Sequence, residues 1–120
     1  MPKISCIVDL GAVRHNVARI KSLLNPGVGL MAVVKANAYG HGAVRVAKAA
    51  LEAGATRLAV ADVKEGLELR ESGIRAPIQV LGSVTDESLI DAVAAGLILS
   101  PSSIQEIDMI AAEARAQSRI

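Results

Sequence analysis

The segment MAVVKANAYGHGA, Met31 to Ala43, sets a chemical problem. A short apolar run ends on a single lysine, Lys35, and the chain passes at once to Asn37, Tyr39, Gly40, His41 and Gly42. A lysine at the end of a buried strand is partly withdrawn from water, which favours the neutral, nucleophilic form of an amine. Such an amine condenses with an aldehyde to an imine, and the commonest biological aldehyde used this way is pyridoxal 5'-phosphate (PLP). Its phosphate needs donors, for which the usual set is backbone N–H groups at a glycine-containing turn opening a helix, plus one hydroxyl. Gly40 and Gly42 precede the next predicted helix, and Tyr39 carries a hydroxyl. Residue types alone leave a second reading open. A lysine closing a strand is also commonly a surface charge whose stem packs while its head stays in water. Tyr39 by itself serves packing as readily as binding, and His41 reads as a turn or capping residue.

The elements that must carry these residues alternate. Ile4–Val8 reads as a strand, and residues 9–24 as a helix with Val13, Val17, Ile20 and Leu24 on one face. Asn25-Pro26-Gly27 stops that helix. Residues 29–34 form an apolar strand ending at Lys35, and 42–53 a helix closed by Gly54. The alternation continues with strand 57–61, helix 63–72, strand 77–81 and helix 85–95, whose inward residues are Leu89, Ile90, Val93 and Ala94. Strand 97–99 and a helix over 101–116 follow, with Ser100 as N-cap and Pro101 in the first turn. Consecutive βα units predict an α/β protein with a parallel sheet and right-handed crossovers, either a doubly wound sheet or a β/α barrel. No G-x-G-x-x-G follows a strand, so the dinucleotide version has no support. In β/α folds the working residues sit at the carboxyl ends of the strands, which is where Lys35 falls.

Composition narrows the classes. Thirteen basic residues against twelve acidic ones leave no electrostatic footprint for nucleic acid or an anionic membrane. No apolar run is long enough to span a bilayer, and MPKISCIVDL lacks the pattern of a signal peptide, so a cytoplasmic protein is expected. One cysteine, Cys6, excludes an internal disulfide and cysteine-based metal spacing; in an apolar strand it reads as a buried, inert thiol. With no Phe or Trp, the core must be built from Leu, Ile, Val and Ala, and the lone aromatic residue, Tyr39, was not needed as filler. His15 reads as a surface residue. Asp62 and Glu65, at a strand end and the helix start after it, read as stabilisers of a helix N-terminus.

The string VVKANAYGHG resembles, residue by residue, the PLP-attachment segment of the alanine racemases, the fold-type III PLP enzymes. VDLGAVRHN (Val8 to Asn16) resembles the family's opening. ALEAGATRLAVADVKEGLELRESGI (Ala50 to Ile74), the run from Ala76 to Gly82, and LILSPSSIQEI continue the resemblance along nearly the whole chain.

The resemblance implies the N-terminal half of a TIM-type (β/α)8 barrel, with residues 1–120 as a partial PLP-binding β/α barrel domain. The barrel's C-terminal half and the family's β-rich second domain are expected to be absent. It implies that Lys35 holds PLP and is one of two bases exchanging the α-proton of alanine, acting on the D-isomer. Tyr39 is implied to hydrogen-bond the cofactor phosphate, and Val33 and Leu81 to pack around the cofactor. The implied activity is interconversion of L- and D-alanine, supplying D-alanine for peptidoglycan, in a homodimer. The family's second base, a tyrosine, and its arginines for the pyridine nitrogen and the substrate carboxylate have no counterpart in this sequence. The 120-residue chain alone is therefore expected to be inactive. Three alternatives stand beside this reading: a PLP-binding module without turnover, a non-functional fragment that binds no cofactor, and a broad-specificity amino-acid racemase. Half a barrel is further expected to expose open sheet edges and apolar inner-face residues, and so to associate or to be marginally stable.

Overall fold

In the computed structural model, which describes residues 3–119, the chain winds parallel strands against one layer of helices. The first two residues and the last of the expected 1–120 unit lie outside the described residues. Helix α1 (Leu10–Leu23) starts where Asp9 caps it, its carboxylate accepting the N–H of Ala12 at 3.1 Å. Val13, Val17 and Leu24 are half-buried on its inner face, whereas Ile20 is exposed.

Three strands follow, β1 (Met31–Val33), β2 (Arg57–Val60) and β3 (Ile78–Val80), hydrogen-bonded in the order β1-β2-β3, all parallel. Val33 stands opposite Ala59, and Ala59 opposite Gln79, so these three share one face of the sheet. The other face carries Val34, Leu58, Val60, Ile78 and Val80, all buried beneath the helices. Helices α3 (Ala43–Glu52), α4 (Val63–Glu71), α5 (Asp86–Ala94) and α6 (Ile104–Ala116) cross between or after the strands. Their small inward residues, Ala43, Ala47 and Ala50 of α3 and Gly66 of α4, let them lie close to the sheet without aromatic filler.

Five sequence expectations need correction. Ile4–Val8 forms no strand. The sheet order is β1-β2-β3 with no strand pairing to this segment among the described residues, and Ile4 and Ile7 stand about 90% exposed, so no apolar contact holds it extended against the sheet. Cys6 is accordingly exposed, not buried. Residues 97–99 reduce to a single bridge, Ile98 opposite Gln79; Pro101 has no N–H to donate, and Ser100 turns its hydroxyl back to the Val80 carbonyl at 2.6 Å. Helix α6 begins at Ile104 under Ser103. The Ser103 hydroxyl accepts the Glu106 N–H at 3.1 Å, and the Glu106 carboxylate accepts the Ser102 N–H at 2.7 Å. This Ser-x-x-Glu box outcompetes a start at Pro101. On α5 the buried stripe is Leu89, Ala92 and Val93, at helical spacings of three and four, while Ile90 and Ala94 face solvent.

One guanidinium closes the end of the fold opposite Lys35. Arg70, in the last turn of α4, donates to the carbonyls of Ala95 (2.8 Å), Ala76 (2.8 Å), Ile74 (3.0 Å) and Gly96 (3.3 Å). Burial, and then the charge of Arg75, push Arg70 below the ordinary arginine range. The four carbonyls offset that desolvation and tie the ends of α4 and α5 to the strand entry at Ala76.

Candidate active site

The β1 ladder runs one residue past the strand, with the Val34 N–H donating to the Ala59 carbonyl at 2.9 Å. Val34 is buried and its side chain faces the helices. Lys35 comes next, half-buried at the carboxyl end of β1. No ion pair or hydrogen bond engages its amine among the described residues, where the single ion pair is Arg14 with Glu52.

The turn α2 (Lys35–Tyr39) follows, and it is left-handed. Ala36, Asn37, Ala38 and Tyr39 have φ of 51°, 54°, 53° and 55°. The left-handed helical conformation costs an L-residue about 1–2 kcal/mol, least for Asn, so four in succession persist only because their surroundings hold them. The hold is visible. The Ala38 N–H donates to the Val34 carbonyl at 3.0 Å, and buried Ala38 plugs the turn into the core. The Asn37 side-chain oxygen accepts the Ala43 N–H at 2.9 Å, so a residue of the turn caps α3. Gly40, at φ 90°, takes a conformation that only glycine adopts readily, and its N–H is shared between the carbonyls of Ala36 and Asn37. His41 acts as a turn residue, its Nδ1 lying 2.9 Å from the Ala38 carbonyl oxygen.

These bonds correct the expected phosphate cradle. The Gly40 N–H is bound within the turn, the Gly42 N–H donates to the Asn37 carbonyl at 2.9 Å, and the Ala43 N–H is taken by Asn37. The glycine amides therefore hold the turn together and are not free for an anion. Tyr39, in contrast, stands 60% exposed at the tip of the turn, and no partner engages its hydroxyl among the described residues.

The other predicted residues gather at the same end. Val33 lies on the open sheet face, two residues before Lys35. The Leu81 N–H donates to the Val60 carbonyl at 2.9 Å, extending β3 by one residue, and Leu81 lies two residues beyond Gln79 on that same face. Both side chains are nearly half exposed, at 42% and 47%. Beside them the ends of β2 and β3 approach so closely that a Cβ on Gly82 would sit 2.7 Å from the Ala61 carbonyl oxygen.

One residue at this end has a role that sequence reasoning reached only in part. Asp62 caps α4 by accepting the Glu65 N–H at 2.9 Å, as a residue stabilising the helix start should. Glu65 goes further. One carboxylate oxygen accepts the N–H of Ala61 at 2.7 Å, and the other accepts the N–H of Ala36 at 2.8 Å, across the sheet. The Asp-x-x-Glu spacing signals a capping box; the reach to Ala36 depends on the register of β1 against β2, which no local pattern encodes. A cavity of about 290 Å³ lies next to this bridge, lined by Asn37, Ala43, Val60, Asp62 and Glu65. A larger apolar groove of about 520 Å³, lined by Val93, Leu97, Ile107 and Ile110, lies away from Lys35. Among the described residues no cluster of His, Cys, Asp and Glu could hold a metal.

Fold and site together define an α/β protein of parallel βα units that carries one lysine at a strand's carboxyl end, on a left-handed turn. The family model for the alanine racemase N-terminal domain matches residues 8–120, and the chain belongs to the alanine racemase family. An alanine racemase of Desulforamulus reducens is 45% identical over 93% of this chain and 30% of its own length. The crystal structure of alanine racemase from Bacillus anthracis with bound L-Ala-P superposes with a TM-score of 0.81 at 48% identity, covering 85% of this chain and 26% of that one. An alanine racemase from Clostridium difficile 630 in complex with cycloserine gives a TM-score of 0.88 at 36% identity, over 97% of this chain and 32% of that one. The chain thus spans less than a third of the length of these relatives, and its fold is that of their N-terminal portion.

Proposed function

We propose that this chain is the lysine-bearing part of a PLP-dependent alanine racemase, a partial β/α barrel domain over residues 1–120 whose full activity needs residues outside it. The observation that carries the reading is the left-handed turn, which sets the amine of Lys35 and the hydroxyl of Tyr39 four residues apart at one strand end. The donor set fits the cofactor: a primary amine with no carboxylate paired to it, and a hydroxyl with no partner, among the described residues, for an aldehyde and a phosphate oxygen, and apolar Val33 and Leu81 for a ring.

Lys35 would hold the cofactor through its Nζ, and Tyr39 would donate its hydroxyl proton to a phosphate oxygen. Val33 and Leu81 would exclude water from the open sheet face. When bound, PLP supplies the electron sink that makes the α-proton of an amino acid acidic. The Lys35 amine would act as the base on one face, holding the α-proton of the D-isomer and returning it to that same face. Inversion needs a second base on the other face, and in this reading that base would come from residues outside this chain. The relative from Bacillus anthracis that binds L-Ala-P supports alanine as the substrate. A homodimer in the cytoplasm, making D-alanine for peptidoglycan, completes the proposal. It agrees with the finding that no helix among the described residues is long and apolar enough to cross a membrane.

The test is exchange of the α-proton in deuterium oxide, followed by proton NMR. With PLP present, D-alanine should lose its α-proton signal while staying D, and Lys35→Ala should abolish the loss. Cofactor attachment without exchange of any amino acid would favour the carrier without turnover. Equal exchange of alanine and bulky amino acids would favour a broad-specificity racemase.

A further inference from the structure

Glu65 stands where two strand ends meet. Its two carboxylate oxygens each accept a backbone N–H, that of Ala36 at 2.8 Å and that of Ala61 at 2.7 Å. Ala61 follows the end of β2, and Ala36 follows Lys35 at the end of β1. In an ordinary capping box the glutamate returns to the N–H of the cap residue itself. Here it bypasses Asp62, binds the residue before it, and spends its second oxygen on a different strand. Asp62 already caps α4 through the Glu65 N–H, so the helix start does not account for the reach to Ala36.

Ala36 is also where the backbone reverses hand. Lys35 is the last residue before φ becomes positive, and Ala36, at φ 51°, is the first of the four left-handed residues. A bond that fixes the Ala36 N–H fixes the peptide plane joining Lys35 to the turn, and with it the direction in which the Lys35 side chain leaves the backbone. Because the acceptor is a carboxylate, the bond is of the stronger, charge-assisted kind.

We propose that Glu65 is a positioning residue for Lys35: its carboxylate staples the end of β1 to the end of β2 and holds the Lys35–Ala36 peptide in the orientation that presents the amine. This inference rests on the proposed role of Lys35 as the cofactor-bearing residue. It assigns Glu65 no contact with cofactor or substrate. Glu65→Gln keeps the volume but not the charge: its single oxygen is shared between two amides, its NH2 group opposes whichever it faces, and the Ala36 N–H loses its charge-assisted bond in either orientation. Glu65→Asp keeps the charge and shortens the arm by one methylene.

The test compares the unaltered chain, E65Q and D62A by two measurements. The first is hydrogen exchange at the Ala36 amide, read without cofactor. The second is the rate at which PLP and borohydride label Lys35, located by peptide mass. In E65Q the Ala36 amide should exchange at least about tenfold faster and Lys35 labelling should slow at least about fivefold. D62A, which loosens the α4 cap and leaves the staple, should change neither by more than about twofold. Unaltered exchange and labelling in E65Q would overturn the proposal. So would a D62A variant that reproduces both changes, because Glu65 would then act only through the stability of α4. If Lys35 is unlabelled even in the unaltered chain, the functional reading fails separately, and the Ala36 exchange alone decides: faster exchange in E65Q upholds the staple, unchanged exchange refutes it. Should E65Q fail to fold, E65D is read by the same two measurements against the same limits.

Discussion

Tyr39 and Lys35 sit on one turn, yet only one of them was made conspicuous by composition. With no Phe or Trp in the chain, a single tyrosine that is not core filler stands out, and the structure leaves it at the exposed tip of the turn. Its proposed work is done by the hydroxyl alone, so Tyr39→Phe is a clean deletion. A hydrogen bond to a charged phosphate contributes about 1.5–3 kcal/mol, and Y39F should weaken PLP binding about 10- to 100-fold. Pyridoxal, which lacks the phosphate, should bind the two proteins alike in a fluorescence titration; an equal loss for both ligands would mean that Tyr39 shapes the turn and does not hold the phosphate. At this scale the place of Lys35 follows from a strand end, whereas Val33 and Leu81 were implied only by the family resemblance; the structure gathers these residues and Tyr39 at one end of the sheet. Sequence reasoning misassigned the amides of Gly40 and Gly42, because a left-handed turn consumes N–H groups that an ordinary helix start would leave free.

Among the elements, the left-handed turn is the one no local rule predicts. Ala, Asn, Ala and Tyr have no shared preference for positive φ, and the conformation is imposed from outside, by the Val34 carbonyl, the capped start of α3 and Glu65. Two glycine substitutions should therefore have opposite signs. Ala36→Gly removes a left-handed penalty of about 1–2 kcal/mol and adds about 0.4–1 kcal/mol of unfolded-state entropy, so denaturant melts should show a gain of up to about 1.5 kcal/mol. Ala47→Gly, in the buried face of α3, should lose about 1–2 kcal/mol through helix propensity and the missing methyl group. Destabilisation by A36G as large as by A47G would contradict the strain assigned to the turn. Arg70 is a second element-level device that was invisible beforehand, since its four carbonyl partners come from two separate segments, 74–76 and 95–96. Arg70→Ala should lower stability by about 2–3 kcal/mol. Arg70→Lys should recover less than half of that, because an ammonium cannot span carbonyls that a planar guanidinium reaches together.

Over the whole molecule, the βα rhythm was legible because each strand and helix announces itself by period and by the glycine or proline that ends it. The two failures, at Ile4–Val8 and at 97–99, concern strands, which exist only where a neighbour pairs with them. The sheet is therefore narrow, and its open face carries Met31, Val33 and Leu81 to solvent. An apolar surface of that kind favours association, so the chain should bind a hydrophobic dye and sediment with concentration-dependent self-association that high salt does not reverse. A monodisperse monomer that leaves the dye dark would show that this face is less sticky than its composition implies.

In the proposed function Lys35 is the one reactive amine that the fold presents. The most direct measurement is to incubate the chain with PLP, reduce it with borohydride, and map the pyridoxyl adduct by peptide mass beside a Lys35→Ala control. A near-stoichiometric adduct is expected on Lys35, absent from the control. Labelling scattered over the other lysines, or unchanged in the control, would contradict it.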